Sequence, residues 1–99
     1  MSEQLTKDSL SKELNTKFRL SVEPEQMCEL ELVEVKERGD RAGQAERFSA
    51  VFRGPLDYPL PQHSYPMEHE RLGNVEIFIV PIRRDEEGFY YEAVFNRLS

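Results

Sequence analysis

Apolar residues first recur at helical spacing, with Leu5, Leu10 and Leu14 on one side of a short stretch from about residue 5 to 15. The pattern predicts an amphipathic helix. Thr6 followed three residues later by Ser9 offers a cap, Asp8 or Ser9 is an alternative start, and Asn15 a stop. A helix this short is marginal in water, so its leucines need a surface to lie on.

From Lys17 the period changes to two. Phe18, Leu20 and Val22 alternate with Lys17, Arg19 and Ser21, a half-buried strand closed by Glu23-Pro24-Glu25. The next strand places Cys28, Leu30 and Leu32 on one face and then slips to Val33 and Val35. One extra residue predicts a β-bulge near Leu32-Val33, which keeps Glu29, Glu31, Glu34 and Lys36 facing outward and bends the strand toward closure. Residues 38 to 46 read as a polar, mobile loop with two glycines. Phe48, Ala50 and Phe52 form a third strand, stopped by Gly54-Pro55.

Four of the six prolines fall between Pro55 and Pro66, which makes this a stiff connection rather than a central strand. Tyr65, Met67 and His69 then mark a fourth strand, whose start Pro66 assigns to a sheet edge. Val75 to Ile82 is apolar on both faces, with Val75, Ile77 and Ile79 on one and Phe78, Val80 and Ile82 on the other. A strand of that kind is covered on both sides, here by the helix or by another chain. After the charged turn Arg83 to Gly88, Phe89 to Asn96 forms the last strand. The fold expected is all-β with one short N-terminal helix: a single domain over 1–99, its six-stranded antiparallel meander closed into a small barrel (about 17–96) or packed as two sheets, with the helix as plug or lid.

Several segments together resemble a bacterial family, domain of unknown function 6916. They are Lys17-Phe18-Arg19-Leu20, Leu30 to Val35, Phe48 to Pro55, Tyr65 to Gly73, Ile77 to Ile82 and Tyr91 to Asn96. The resemblance implies a small β-rich domain found near phage-tail-like collar or fibre proteins. It implies no reaction, and the loop 38 to 46 carries nothing over.

Composition narrows the function. Thirteen Lys plus Arg against nineteen Asp plus Glu give a net charge of -6, the wrong sign for binding phosphate backbones, so nucleic acid is not an expected partner. The single cysteine, Cys28, forms no intrachain disulfide. With no charged-then-apolar leader and no long apolar span, the expected compartment is a reducing cytoplasm, away from membranes. Scattered glycines at 39, 43, 54, 73 and 88 build no phosphate cradle, and no cofactor is expected.

No nucleophile and base occur together. Cys28 is surrounded in sequence by Glu25, Glu29 and Glu31, which would raise rather than lower its pKa. His63 and His69, with Glu68 and Glu70, lack metal-ligand spacing on a strand. The expectation is therefore a non-enzymatic protein-contact or assembly module. Its candidate surfaces are the stiff loop with Leu56, Tyr58, Leu60 and Tyr65, and the acidic stripe Glu29, Glu31 and Glu34. A homodimer is a further expectation, because the helix supplies few leucines to cover the two-faced strand. The competing reading is a small-ligand-binding barrel or enzyme that uses the mouth near His63, Tyr65 and His69.

Overall fold

A computed structural model of the chain describes residues 5–22, 26–37 and 45–98. Six antiparallel strands follow one helix: α1 (Lys7–Ser11), β1 (Lys17–Val22), β2 (Gln26–Glu37), β3 (Ala45–Gly54), β4 (His63–His69), β5 (Gly73–Asp85) and β6 (Gly88–Leu98). They close into a barrel in the order β1-β2-β3-β6-β5-β4. The expected closure is present, but the order is not that of a simple meander. Two three-stranded meanders, β1-β2-β3 and β4-β5-β6, meet through β3 against β6 and β1 against β4, a Greek-key arrangement.

The stiff connection explains that order. Residues 55–62 carry the chain from the end of β3 across one barrel end to the start of β4. Leu60 is buried beneath the crossing, its backbone N–H donating to the Tyr91 hydroxyl at 2.9 Å. Nearby, the Tyr65 hydroxyl donates to the Pro61 carbonyl at 2.7 Å. Proline-rich chain that makes few ladder bonds suits this crossing.

Inward alternation fills the barrel. Phe18, Leu20, Leu30, Leu32, Phe48, Phe52, Met67, Ile77, Ile79 and Tyr91 are all fully buried. The bulge falls where the slipped alternation puts it, with the β2 to β3 register shifting between Leu32 and Glu34. On β3, Ser49 and Val51 are buried on the outer face as well, so this strand is covered on both sides. The 38 to 46 loop lies largely outside the described residues; β3 already begins at Ala45.

The helix is shorter than its leucine spacing suggests, with turns from Lys12 to Asn15 after one α-helical segment. Thr6 is the cap: its side chain accepts from the Ser9 N–H, and the Ser9 hydroxyl reciprocates toward Thr6. Asn15 ends the segment with φ at 68°, and its N–H donates to the Leu32 carbonyl at 2.7 Å. Leu10 is wholly buried and Leu5 packs against the core, whereas Leu14 stays exposed. The helix therefore plugs the end opposite the 55–62 crossing instead of covering the outside of β5.

One glycine is dictated by packing. A Cβ at Gly54 would lie 2.6 Å from Leu30 Cδ2 and 3.3 Å from Tyr91 Cε1, both on fully buried side chains, so a neighbour must shift to admit it. Gly54→Ala should therefore lower stability by about 1–3 kcal/mol, the usual cost of overpacking, read as a fall in denaturant midpoint with an unchanged slope.

Candidate interaction surface

Three separate places hold the residues singled out from the sequence. The first is a shallow groove of about 820 Å³ on the β1-β2-β3 side, next to the turn that leaves β3. Glu29, Glu31 and Tyr58 line it together with Lys17, Arg53 and Asp57, so part of the acidic stripe and part of the stiff loop converge. Its charges are mixed. Arg53 binds Glu31 at 2.9 Å and Glu87 at 3.2 Å, which neutralises much of the acidic character there. Glu34 lies outside the groove, exposed and 3.8 Å from Lys36.

Leu60 and Tyr65 offer almost no exposed surface to a protein partner. Leu60 is 3 % exposed, and Tyr65 is buried with its hydroxyl committed to Pro61, because both close the barrel end under the crossing. Of the four loop residues, Leu56 is exposed and Tyr58 half-buried, leaving a much smaller apolar surface than the sequence suggests.

The second place is a cleft of about 360 Å³ between the end of β1 and the start of β4, lined by Val22, Tyr58, Pro61, His63 and Tyr65 among others. It exists because the β1–β4 ladder is short: Arg19 faces Glu68 and Leu20 faces Met67, while Ser21 and Val22 have no β4 partner. Pro66 has no β1 partner there, but β4 pairs with both β1 and β5 in the closed barrel and is not the edge strand expected. His63 stacks edge-on against Tyr65 with ring centroids 5.2 Å apart. His69 does not join them. Six residues of extended strand separate it from His63 by about 20 Å, which puts the two histidines at opposite barrel ends.

His69 instead belongs to a buried polar cluster at the helix end. Its Nδ1 accepts from the backbone N–H groups of Arg71 and Leu72, at 3.0 and 3.2 Å. The proton must therefore sit on Nε2, which faces the Thr16 hydroxyl at 2.8 Å; Thr16 in turn donates to the Glu13 carbonyl at 2.7 Å. Beside it, the Glu13 carboxylate receives two bonds from Arg71, at 2.9 and 2.6 Å. Arg71 holds the Glu13 carboxyl below the usual range despite its burial. Burial of the ring lowers the His69 pKa, outweighing the opposite pull of Glu13. Every contact in this cluster supports the fold, joining the helix turn to the β4–β5 turn, and the ring is closed to solvent. Glu13 had no sequence signal for such a role, since its partners are 56 and 58 positions away.

Cys28 is buried and free, and burial, reinforced by Asp57 and Glu29, pushes its thiol upward in pKa. Among the described residues, no group of three His, Cys, Asp or Glu side chains could hold a metal ion, and no helix is long and apolar enough to cross a membrane.

The third place is the outer wall of β5 and β6. Phe78 is 51 % exposed, Ile82 44 % and Val94 51 %, with Val80 half-buried among them. The expectation that the helix covers this face does not hold, because Leu10 enters the opposite side of the wall.

Fold and surface together define a small closed antiparallel barrel, plugged by a capped helical turn and apolar along one outer wall. The chain belongs to the family described as Domain of unknown function (DUF6916), whose model matches residues 5–95. Comparison with curated proteins and with solved structures gave no significant match.

Proposed function

We propose that this domain works by protein contact, without catalysis of its own, as a docking or assembly module whose main surface is the β5–β6 wall. The observation that carries this reading is the exposure of Phe78, Ile82 and Val94 on two neighbouring strands, whereas the other exposed large apolar residues, Leu14, Met27 and Leu56, come from three different parts of the chain. Scattered apolar residues are normal on a surface, but a contiguous wall of them marks an interaction site. A phage-tail-like or other bacterial appendage is the proposed setting, on the family resemblance, and a reducing cytoplasm the proposed compartment, since Cys28 is free.

Affinity capture by the immobilised domain from its host's lysate tests the reading. Phe78→Ser with Val94→Ser should abolish recovery of a specific protein, whereas Glu29→Lys with Glu31→Lys should leave most of it, because exposed rim charges contribute about 0–1 kcal/mol each. Tyr58→Ala alone probes the loop, since Leu60→Ala would open the core. Recovery lost in the charge variant and kept in the wall variant would reverse the assignment.

The cleft beside His63 and Tyr65 favours a second reading, as a small apolar-ligand site. Under it, one metabolite in a thermal-shift screen would stabilise the protein by several degrees, and His63→Ala would remove the effect.

A further inference from the structure

We propose that Met27 is a site of reversible oxidation, converted by peroxide to the sulfoxide on the folded protein and returned by a sulfoxide reductase. The inference stands apart from the contact-module reading, because the isolated chain is enough to show it. Its origin is the alternation along β2. Cys28, Leu30 and Leu32 take the inward positions, which puts Met27 on the outer face, opposite Ser21 of β1. Methionine commonly fills gaps in cores. Met27 is instead 54 % exposed, more than any other large apolar side chain among the described residues, whereas Met67 on β4 is 2 % exposed.

The thioether also has a fixed polar neighbour. The Ser21 hydroxyl donates to Met27 Sδ at 3.4 Å, which engages one of the two sulfur lone pairs and leaves the other for an oxidant. Met27 lines two hollows at once: the groove that it shares with Glu29 and Arg53, and a second of about 370 Å³ that it shares with Arg19, Ser21 and Glu68 among others.

Hydrogen peroxide supplies the oxygen. The free lone pair on Sδ attacks one peroxide oxygen, the O–O bond breaks, and the second oxygen leaves as water after taking the proton of the first. Sulfur gives up two electrons and the peroxide gains them. A sulfoxide oxygen is a better acceptor than a thioether sulfur, so the Ser21 hydroxyl can turn from the sulfur to the new oxygen without a change in either strand. In the reverse step the dithiol of a reductase closes to a disulfide and the oxygen departs as water. A flexible apolar side chain is thereby exchanged for a polar one where the two hollows meet, and the barrel interior is untouched. Cys28, next in sequence, does not compete, since it is buried and burial keeps its thiol protonated.

Dilute hydrogen peroxide on the full folded chain, followed by peptide mass mapping with fragmentation to separate Met27 from Cys28, tests the proposal. Met27 should gain one oxygen about tenfold or more faster than Met67, and the two should react alike when the chain is unfolded in urea. With Met27 oxidised, the protein should keep its circular dichroism and its urea midpoint. Methionine sulfoxide reductases with dithiothreitol should then restore the thioether. Met67 reacting as fast as Met27 in the folded chain, a Met27 sulfoxide that unfolds the barrel, or one that the reductases leave in place would each overturn the proposal.

Discussion

Phe18→Ala should cost about 3–5 kcal/mol, a large share of the roughly 5–15 kcal/mol that holds a domain of this size together. Phe18 is fully buried on β1, edge-on to Phe52 with centroids 5.2 Å apart and against the His69 ring at 4.4 Å. Removing it leaves a cavity between the hydrophobic core and the polar cluster, and the hydrogen bonds that fix the His69 ring resist collapse from that side. Phe78→Ala is the control. The same side chain half-exposed on the outer wall should change stability within about 0.5 kcal/mol. Urea unfolding of both variants reads the difference, and equal costs would mean that Phe18 is not the core residue described.

The second large effect is acid lability from the His69 cluster. In the folded state the ring is held neutral, below its ordinary pKa of 6.5, chiefly by burial. As pH falls below 6.5 the unfolded chain takes up the proton first, so stability drops until the folded-state pKa has been passed. Protonation at Nδ1 would also oppose the two backbone N–H groups that point at it. Glu13, whose carboxyl is held below its ordinary value of 4.5 chiefly by Arg71, adds a second loss in the same direction at lower pH. The charged neighbours of the ring are Glu13, Arg71, Glu70 and Arg19. His69→Asn, which keeps an acceptor for the turn but has no titrating ring, should be less stable at pH 7 yet flatter between pH 7 and 5 by urea midpoint. His69→Ala should be worse at every pH, because each buried donor left without a partner costs about 1–3 kcal/mol. An unchanged pH slope in His69→Asn would place the acid sensitivity elsewhere.

Much of the barrel was legible because its signals are local. Alternation located the first four strands, a continuous apolar run and a charged turn located the last two, the slip at Leu32-Val33 located the bulge, and Thr6 with Ser9 was one of the starts offered for the helix. What escaped depends on pairing across the barrel. No local pattern distinguishes a simple meander from β3 beside β6, since either order buries the same faces. The loop residues Leu60 and Tyr65 looked available for contact because burial beneath a crossing has no periodic signature. The histidines looked like neighbours at one mouth because six positions are close in sequence, although on a strand they span the barrel. The apolar outer face of β5 was visible, but not the route of the helix, which takes Leu10 inside and leaves Phe78 and Ile82 outside.

The brief ladder between β1 and β4 also has a kinetic meaning. The two meanders can each form from neighbouring strands, whereas this junction joins residues almost fifty positions apart with little backbone pairing to hold them. It should zip last during folding and open first from the native state. Amide protons on β3 and β6, joined from Ala45 to Gly54, should then exchange at rates set by global unfolding, while those of Leu20 and Met67 exchange through a smaller, earlier opening. The barrel would breathe along one stave, beside the cleft that Tyr65 and His63 line.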